Sequence, residues 1–294
     1  MTKIAFKKPS EAKRARPKIA IFGEGGVGKT WFALSFPNVA YLDHEDGANG
    51  SHYIERLKKA NGMYLGPKDG TLDPKFVLDQ IKALSSEKHE FKTLVFDSIT
   101  KIYNNMIATE AERLGDKMAF GNEKRPAIAW IRQVVSWVSR LDMNVVFVCH
   151  AKATWLNDKQ GPATFDCYEK LAYELDLLLQ VEKRGADRVA VVRKSRLLGF
   201  PDPSSFKLEF AEFKTRYEKD FGAGIIDSPV TPIALATPEQ VIEARGLVEV
   251  LKLTPDEVTK ALEKRNVTQW EDLDQSAIAE MIANLNKKKA SATV

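Results

Sequence analysis

The run Gly23-Glu24-Gly25-Gly26-Val27-Gly28-Lys29-Thr30 satisfies the pattern G-x-x-x-x-G-K-[ST] at every fixed position. Each residue type has a physical task there. A glycine-rich turn lets successive backbone N–H groups point inward at anionic oxygens, and a helix starting directly behind it adds the positive end of its dipole. Lys29 would reach the β- and γ-phosphates of a nucleoside triphosphate, and the Thr30 hydroxyl would ligate Mg²⁺. Gly23 through Trp31 are therefore the expected ATP-binding residues, with Mg²⁺ as the companion ion. A plain glycine-rich surface turn is the competing reading; it leaves the full motif, set between a strand-like and a helix-like segment, unexplained.

Two carboxylates extend the chemistry. Residues 93–97, Thr-Leu-Val-Phe-Asp, form an apolar strand pattern that ends on an acid, the place from which a carboxylate holds a Mg²⁺ shell. Thr30 and Asp97 are thus the expected metal ligands. Ser98 follows, where many ATPases carry the Glu that polarises the attacking water. The segment Tyr41-Leu42-Asp43-His44-Glu45 offers a substitute, because Glu45 falls just past a strand end on the rim where the nucleotide lies. An exposed loop carboxylate is the alternative for Glu45; the absence of a Glu after Asp97 favours the general base.

These residues need strands to carry them. Residues 18–22, 39–43, 93–97 and 144–149 are short apolar runs, and helical patterns at 30–35, 74–84, 99–113 and 127–141 separate them. Continuous apolar strands alternating with helices imply a mostly parallel sheet covered on both faces, an α/β fold. Residues 177–182 and 188–193 are two further strands, and Gly185 and Asp187 suit the hairpin between them. Prolines 229 and 232 punctuate a stretch at 227–236 without helical pattern. Beyond it, Thr237-Pro238-Glu239-Gln240 and Thr254-Pro255-Asp256-Glu257 each place a Thr cap, a Pro at the first helical position and Gln or Glu at the third. Asp274 is a third candidate cap. The expected organisation is a basic arm at 1–17, an ATPase core at 18–228, a linker at 229–236 and a small all-helical domain at 237–294.

Together, Gly23–Thr30, Asp43-His44-Glu45 and Asp97-Ser98 resemble the RecA-like recombinase family, in which a D-x-E follows the phosphate-loop helix and the Walker B strand ends Asp-Ser. The resemblance covers residues 18–200. The short spacing from Thr30 through Ser35-Phe36-Pro37 to the Asp-x-Glu strand looks more narrowly like the phage RecA-like ATPases of the Sak group, single-strand annealing recombinases with a helical C-terminal domain. It implies a RecA-like phosphate-loop core that binds ATP and Mg²⁺, assembles with itself into a ring or filament, and acts on single-stranded DNA. A single-strand DNA-binding protein is a further implied partner. His150 stands where recombinases carry the Gln that senses the γ-phosphate, and imidazole can also donate to a phosphate oxygen. Lys194 and Arg196 fall on the strand that reaches a neighbour's ATP in the family, an arginine-finger role; a solvated basic edge strand is equally compatible with them. The two loops that face DNA in the family would be 115–126, with Lys117, Met118, Phe120, Lys124 and Arg125, and 151–167, with Lys152, Trp155, Lys159 and Phe165. Cations interleaved with aromatics suit single strands, since phosphates take charge and any base can stack on a ring. Trp155 and Phe165 could instead pin their loop to the core.

Composition narrows the setting. With 294 residues, 44% hydrophobic and 29% charged, and no apolar run near the ~18 residues of a membrane span, the chain reads as globular and without a membrane segment. The basic start is followed by only a five-residue strand, so no signal peptide is expected. Two cysteines without metal-like spacing suit a reducing cytoplasm, that of the host where the gene is phage-borne. The net charge of +4 is uneven: residues 1–18 hold seven Lys/Arg against Glu11, while 237–294 hold eight basic against ten acidic residues. Two rival functions stay open on sequence grounds, a phosphate-loop kinase of a small molecule and a DNA-binding protein that ATP switches without being hydrolysed.

Overall fold

The computed structural model describes residues 16–156 and 159–292. They form two compact units, one of residues 16–77, 89–131 and 142–230, the other of residues 78–88, 132–141 and 231–292. In chain order the elements to the end of the sheet are β1 (Lys18–Gly23), α1 (Lys29–Ala33), β2 (Val39–Asp43), α2 (Ser51–Lys59), β3 (Met63–Leu65), α3 (Pro74–Ser86), β4 (Thr93–Asp97), α4 (Ile99–Leu114), α5 (Arg125–Arg140), β5 (Asn144–Lys152), β6 (Trp155–Leu156), β7 (Lys159–Gln160), β8 (Thr164–Phe165), α6 (Leu171–Glu174), β9 (Leu177–Arg184), β10 (Asp187–Ser195) and β11 (Ser205–Lys207). There follow α7 (Phe210–Phe221), α8 (Pro238–Val250), α9 (Pro255–Glu263) and α10 (Gln275–Ala292).

The sheet order is β11-β10-β9-β1-β5-β4-β2-β3, with β8 added beside β5. The six strands from β9 to β3 are mutually parallel, and β10, β11 and β8 pair antiparallel. Every residue of β4 is buried, as are Ile19 to Gly23 of β1, which is why these segments read as unbroken apolar runs. The α/β core with a mostly parallel sheet, and the helical region after it, are as the sequence predicts. Elements beyond those the sequence predicts are α2, β3, β6, β7, β8, α6, β11 and α7. The last supplies Phe213 and Tyr217 to an aromatic cluster with Phe32, Phe36 and Phe200, in which Phe213 stands 5.3–5.9 Å, centroid to centroid, from each of the other four. That cluster anchors α1, and with it the phosphate loop, to one face of the sheet.

Two expectations require correction. Arg16 does not belong to a solvated arm: it is buried, pairs with Asp142 at 2.8 Å and donates to the carbonyls of Ile225, Ser228 and Pro229. Residues 1–15 lie outside the described residues. The segment 151–167 is not an open loop either, because β5 continues to Lys152 and β8 folds back on it, Ala151 opposite Phe165, while β6 and β7 form a short ribbon.

In the other unit both predicted capping boxes form. Thr237 Oγ1 accepts from Gln240 N at 3.3 Å and Thr237 N donates to Gln240 Oε1 at 3.0 Å; Thr254 and Glu257 repeat the exchange. The core of this unit is Val241, Ala244, Leu247, Leu262, Trp270, Ile278 and Met281 with their neighbours. Lys82, on α3, pairs with the buried Asp272 at 2.9 Å. Among the described residues no helix is long and apolar enough to cross a membrane.

Candidate functional site

Four adjacent parallel strands, β1, β5, β4 and β2, end on one rim. In register, Gly23 stands opposite His150, and Asp43 opposite Asp97. The loop after β1 is shaped by its glycines. A β-carbon on Gly23 would lie 2.5 Å from the Val181 carbonyl oxygen, and Gly28 has φ +97°, a backbone that side chains rarely adopt. At Gly25 and Gly26 a β-carbon would meet nothing within 4 Å, so the loop rim is open. Lys29 is buried beneath the loop, its Nζ donating to Gly23 O at 2.8 Å and Glu24 O at 2.6 Å. Burial lowers its pKa, against the raising effect of Asp97 and Glu45.

Thr30 Oγ1 donates to Asp97 Oδ2 at 2.6 Å, and Tyr41 OH to the same oxygen at 3.1 Å. Desolvation pushes Asp97 up to about 6; the Thr30 bond opposes this, and the charge of Glu45 adds to it. Asp43 is buried and accepts from the backbone N–H groups of Glu45 at 3.0 Å and Ala48 at 2.7 Å, which shapes the turn after β2. His44 points the other way: Nδ1 carries its proton toward Thr71 O at 2.9 Å, Nε2 is buried with no hydrogen-bond partner among the described residues, and burial lowers its pKa to about 4.

The structure brings Glu45, Ser98 and His150 together. Ser98 Oγ and His150 Nε2 both donate to Glu45 Oε1, the imidazole at 2.6 Å, and the two donors are 3.2 Å apart. A carboxylate only accepts, so Nε2 carries the His150 proton. The backbone N–H of His150 donates to Thr100 Oγ1 at 3.0 Å, and its carbonyl accepts from Asp166 N at 2.9 Å, which ties the rim to α4 and β8. In the sequence Ser98 stands where a Glu is common and completes the Asp-Ser strand end; its part as a holder of Glu45 appears once the strand ends meet. Tyr41 and Thr100 likewise gave no sequence signal.

The donor set suits Mg·ATP. A hydroxyl and a buried carboxylate pushed toward its neutral form, with Asp43 and Glu45 near, are hard oxygen ligands short of positive charge. Among the described residues no group of three His, Cys, Asp or Glu could hold a metal alone. An ion bound through one carboxylate, one hydroxyl and the oxygens of a phosphate ligand fits that arrangement.

Other predicted residues lie apart from this rim. Trp31 is half exposed, but its ring faces α2, with the Arg56 guanidinium 4.6 Å above it and His52 at 6.5 Å. Lys194 and Arg196 donate to the carbonyls of Leu175 and Tyr173. Because β10 runs antiparallel, with Ser195 opposite Leu177 and Leu177 opposite Ile19, both cations sit at the end of the sheet remote from their own phosphate loop. Lys117, Met118, Lys124 and Arg125 are exposed, and Phe120 is fully so at 109%. Arg125 starts α5 rather than ending a loop. Trp155 is 69% exposed on β6, Lys159 is exposed on β7, and Lys152 is half-buried. Phe165, expected to stack on DNA bases, is instead buried with its ring 6.3 Å from Phe22. It pins β8 to the core.

A family model described as "AAA domain" matches residues 15–206. The crystal structure of the RadB recombinase is similar over 64% of this chain and 84% of that one, at 19% identity and a TM-score of 0.39. No curated protein matches the sequence. The matched span takes in the phosphate loop, Asp97 and the whole rim of strand ends; the chain belongs to the AAA domain family and is an ATP-binding phosphate-loop NTPase.

Proposed function

We propose that the protein is a RecA-like ATPase that assembles into a ring or filament on single-stranded DNA and promotes homologous recombination or strand annealing of the phage Sak type. The observation that carries the reading is Glu45 held by Ser98 and His150 beside the Thr30–Asp97 pair. A carboxylate fixed there is placed to orient, and take a proton from, the water that attacks the γ-phosphate. Mg²⁺, when bound, would supply positive charge that offsets that of the phosphates. Lys29 leaves the Gly23 and Glu24 carbonyls for the phosphates, Thr30 and Asp97 hold the ion, and His150 connects the γ-phosphate end to β8 and α4.

The position of Lys194 and Arg196 supports a shared site. Remote from their own loop, they would reach a nucleotide only on another copy. Single-stranded DNA would lie along Lys117, Phe120, Lys124, Arg125, Lys152, Trp155 and Lys159, where four exposed cations and the half-buried Lys152 stand among two exposed rings. The test is the rate of ATP hydrolysis with and without single-stranded DNA at two salt concentrations. DNA stimulation that fades with salt is expected, as is loss of ATP binding in Lys29→Ala and loss of turnover with binding intact in Glu45→Gln. No stimulation together with no salt-sensitive DNA binding would sink the recombinase reading. Annealing that survives Glu45→Gln but not Lys29→Ala would make ATP a switch rather than a fuel.

A further inference from the structure

Arg188 belongs to no motif, yet it lies against the phosphate loop of its own chain. Its Cγ, Cδ and Nε stand 3.8, 3.9 and 3.9 Å from where a β-carbon on Gly28 would be. Gly28 carries no side chain and has a left-handed backbone, so the Arg188 stem lies over the bare main chain just before Lys29. The residue enters from β10, second in that strand, and its carbonyl is fixed by Leu208 N at 2.8 Å. Neighbouring cations of the hairpin are engaged. Arg184 donates to Glu182 at 2.9 Å and Arg193 to Gln180 Oε1 at 2.7 Å. Among the described residues the only hydrogen bond of the Arg188 guanidinium is a long one, 3.4 Å, to Ala186 O.

We infer that Arg188 is a nucleotide-binding residue that acts within its own subunit, its guanidinium forking onto the α- and β-phosphates of the nucleotide at Gly23–Thr30. The inference rests on the site being a nucleotide site. The sheet order gives the direction: Asp97, Glu45 and His150, which mark the γ-phosphate end, end β4, follow β2 and lie on β5, all on one side of β1, whereas Arg188 arrives from β10 on the other. A cation on that side meets the phosphates nearer the nucleoside. Arg is suited to it, since its planar fork donates two parallel bonds to phosphate oxygens. Arg188 is thereby distinct in role from Lys194, at the far end of the same strand, and Arg196 just past it.

The experiment is titration of Mg·ATP and of ADP into the wild type, Arg188→Gln and Arg188→Lys by calorimetry, with melting temperature as a control on folding. Arg188→Gln keeps much of the stem over Gly28 and removes the charge. A charge-assisted hydrogen bond predicts roughly tenfold to hundredfold weaker binding of both nucleotides alike, with Arg188→Lys between the two. Affinities within twofold of wild type for both nucleotides would overturn the inference. So would a loss confined to ATP, which would put the guanidinium on the γ-phosphate. Absence of nucleotide binding by the wild type is a separate outcome, which removes the site reading itself and this inference with it.

Discussion

Asp97 and His44 make a pair whose responses to acid oppose each other, and replacing one exposes the other. Both are buried, and they touch through the His44 N–H to Asp97 O bond at 2.7 Å. Burial raises Asp97 from 3.8 to about 6, so between these values the folded state keeps a proton that the unfolded chain has released. Stability from Asp97 therefore falls as pH rises through that window, by about 3 kcal/mol at 1.36 kcal/mol per unit. His44 is lowered from 6.5 to about 4, so the unfolded chain takes up a proton that the folded state refuses. Its contribution is present above the unfolded value and is lost as pH falls, again by about 3 kcal/mol. In the wild type the two nearly cancel between pH 4 and 7. Asp97→Asn keeps an acceptor for Thr30 and removes one titration. Without Mg²⁺ or nucleotide, that variant should gain about 3 kcal/mol on wild type between pH 4 and pH 7, a relative shift in melting temperature of roughly 6 to 12 °C. Thermal unfolding of both proteins at pH 4, 5, 6 and 7 measures it. A difference between the two that does not change with pH would refute the reasoning.

Gly23→Ala should remove the folded core, because its β-carbon would stand 2.5 Å from a backbone oxygen of β9 that has no freedom to yield; circular dichroism and solubility of the variant show it. Phe120→Ala should leave the melting temperature unchanged and weaken single-stranded DNA binding by ~1–3 kcal/mol, read by fluorescence anisotropy. Phe165→Ala should do the reverse, losing on the order of 3–5 kcal/mol of stability through the cavity left beside Phe22, and a normal melting temperature for it would contradict its place in the core. Thr237→Ala should cost about 1 kcal/mol through the lost cap on α8, seen as a lowered urea midpoint.

What could be read from the sequence was local. A five-residue apolar run ending on Asp97, a Thr-Pro-x-Gln cap or a glycine pattern each states its geometry within a few residues, and β1, β2, β4, β5, β9 and β10, both capping boxes and the phosphate loop follow from that. Phe165 has two readings in the sequence, stacking on bases or pinning its loop, because an aromatic between cations looks the same whether it faces solvent or Phe22; only the return of β8 onto β5 decides for the second. The contact of Arg188 with the phosphate loop, and that of Ser98 with Glu45, are hidden for the same reason. Glu45, Ser98 and His150 lie about fifty residues apart in sequence, and nothing in any one of the three segments specifies the other two. What joins them is strand register, Gly23 beside His150 and Asp43 beside Asp97. Side chains alternate faces along a strand, so a slip of one residue in β4 would turn Asp97 away from Thr30 and put the Ser98 hydroxyl out of reach of Glu45. The fully buried faces of β4 and β1 oppose such a slip, since each apolar side chain would have to be repacked. The same hydrophobic run that identifies the strand thus also sets the distance between a base and its holders.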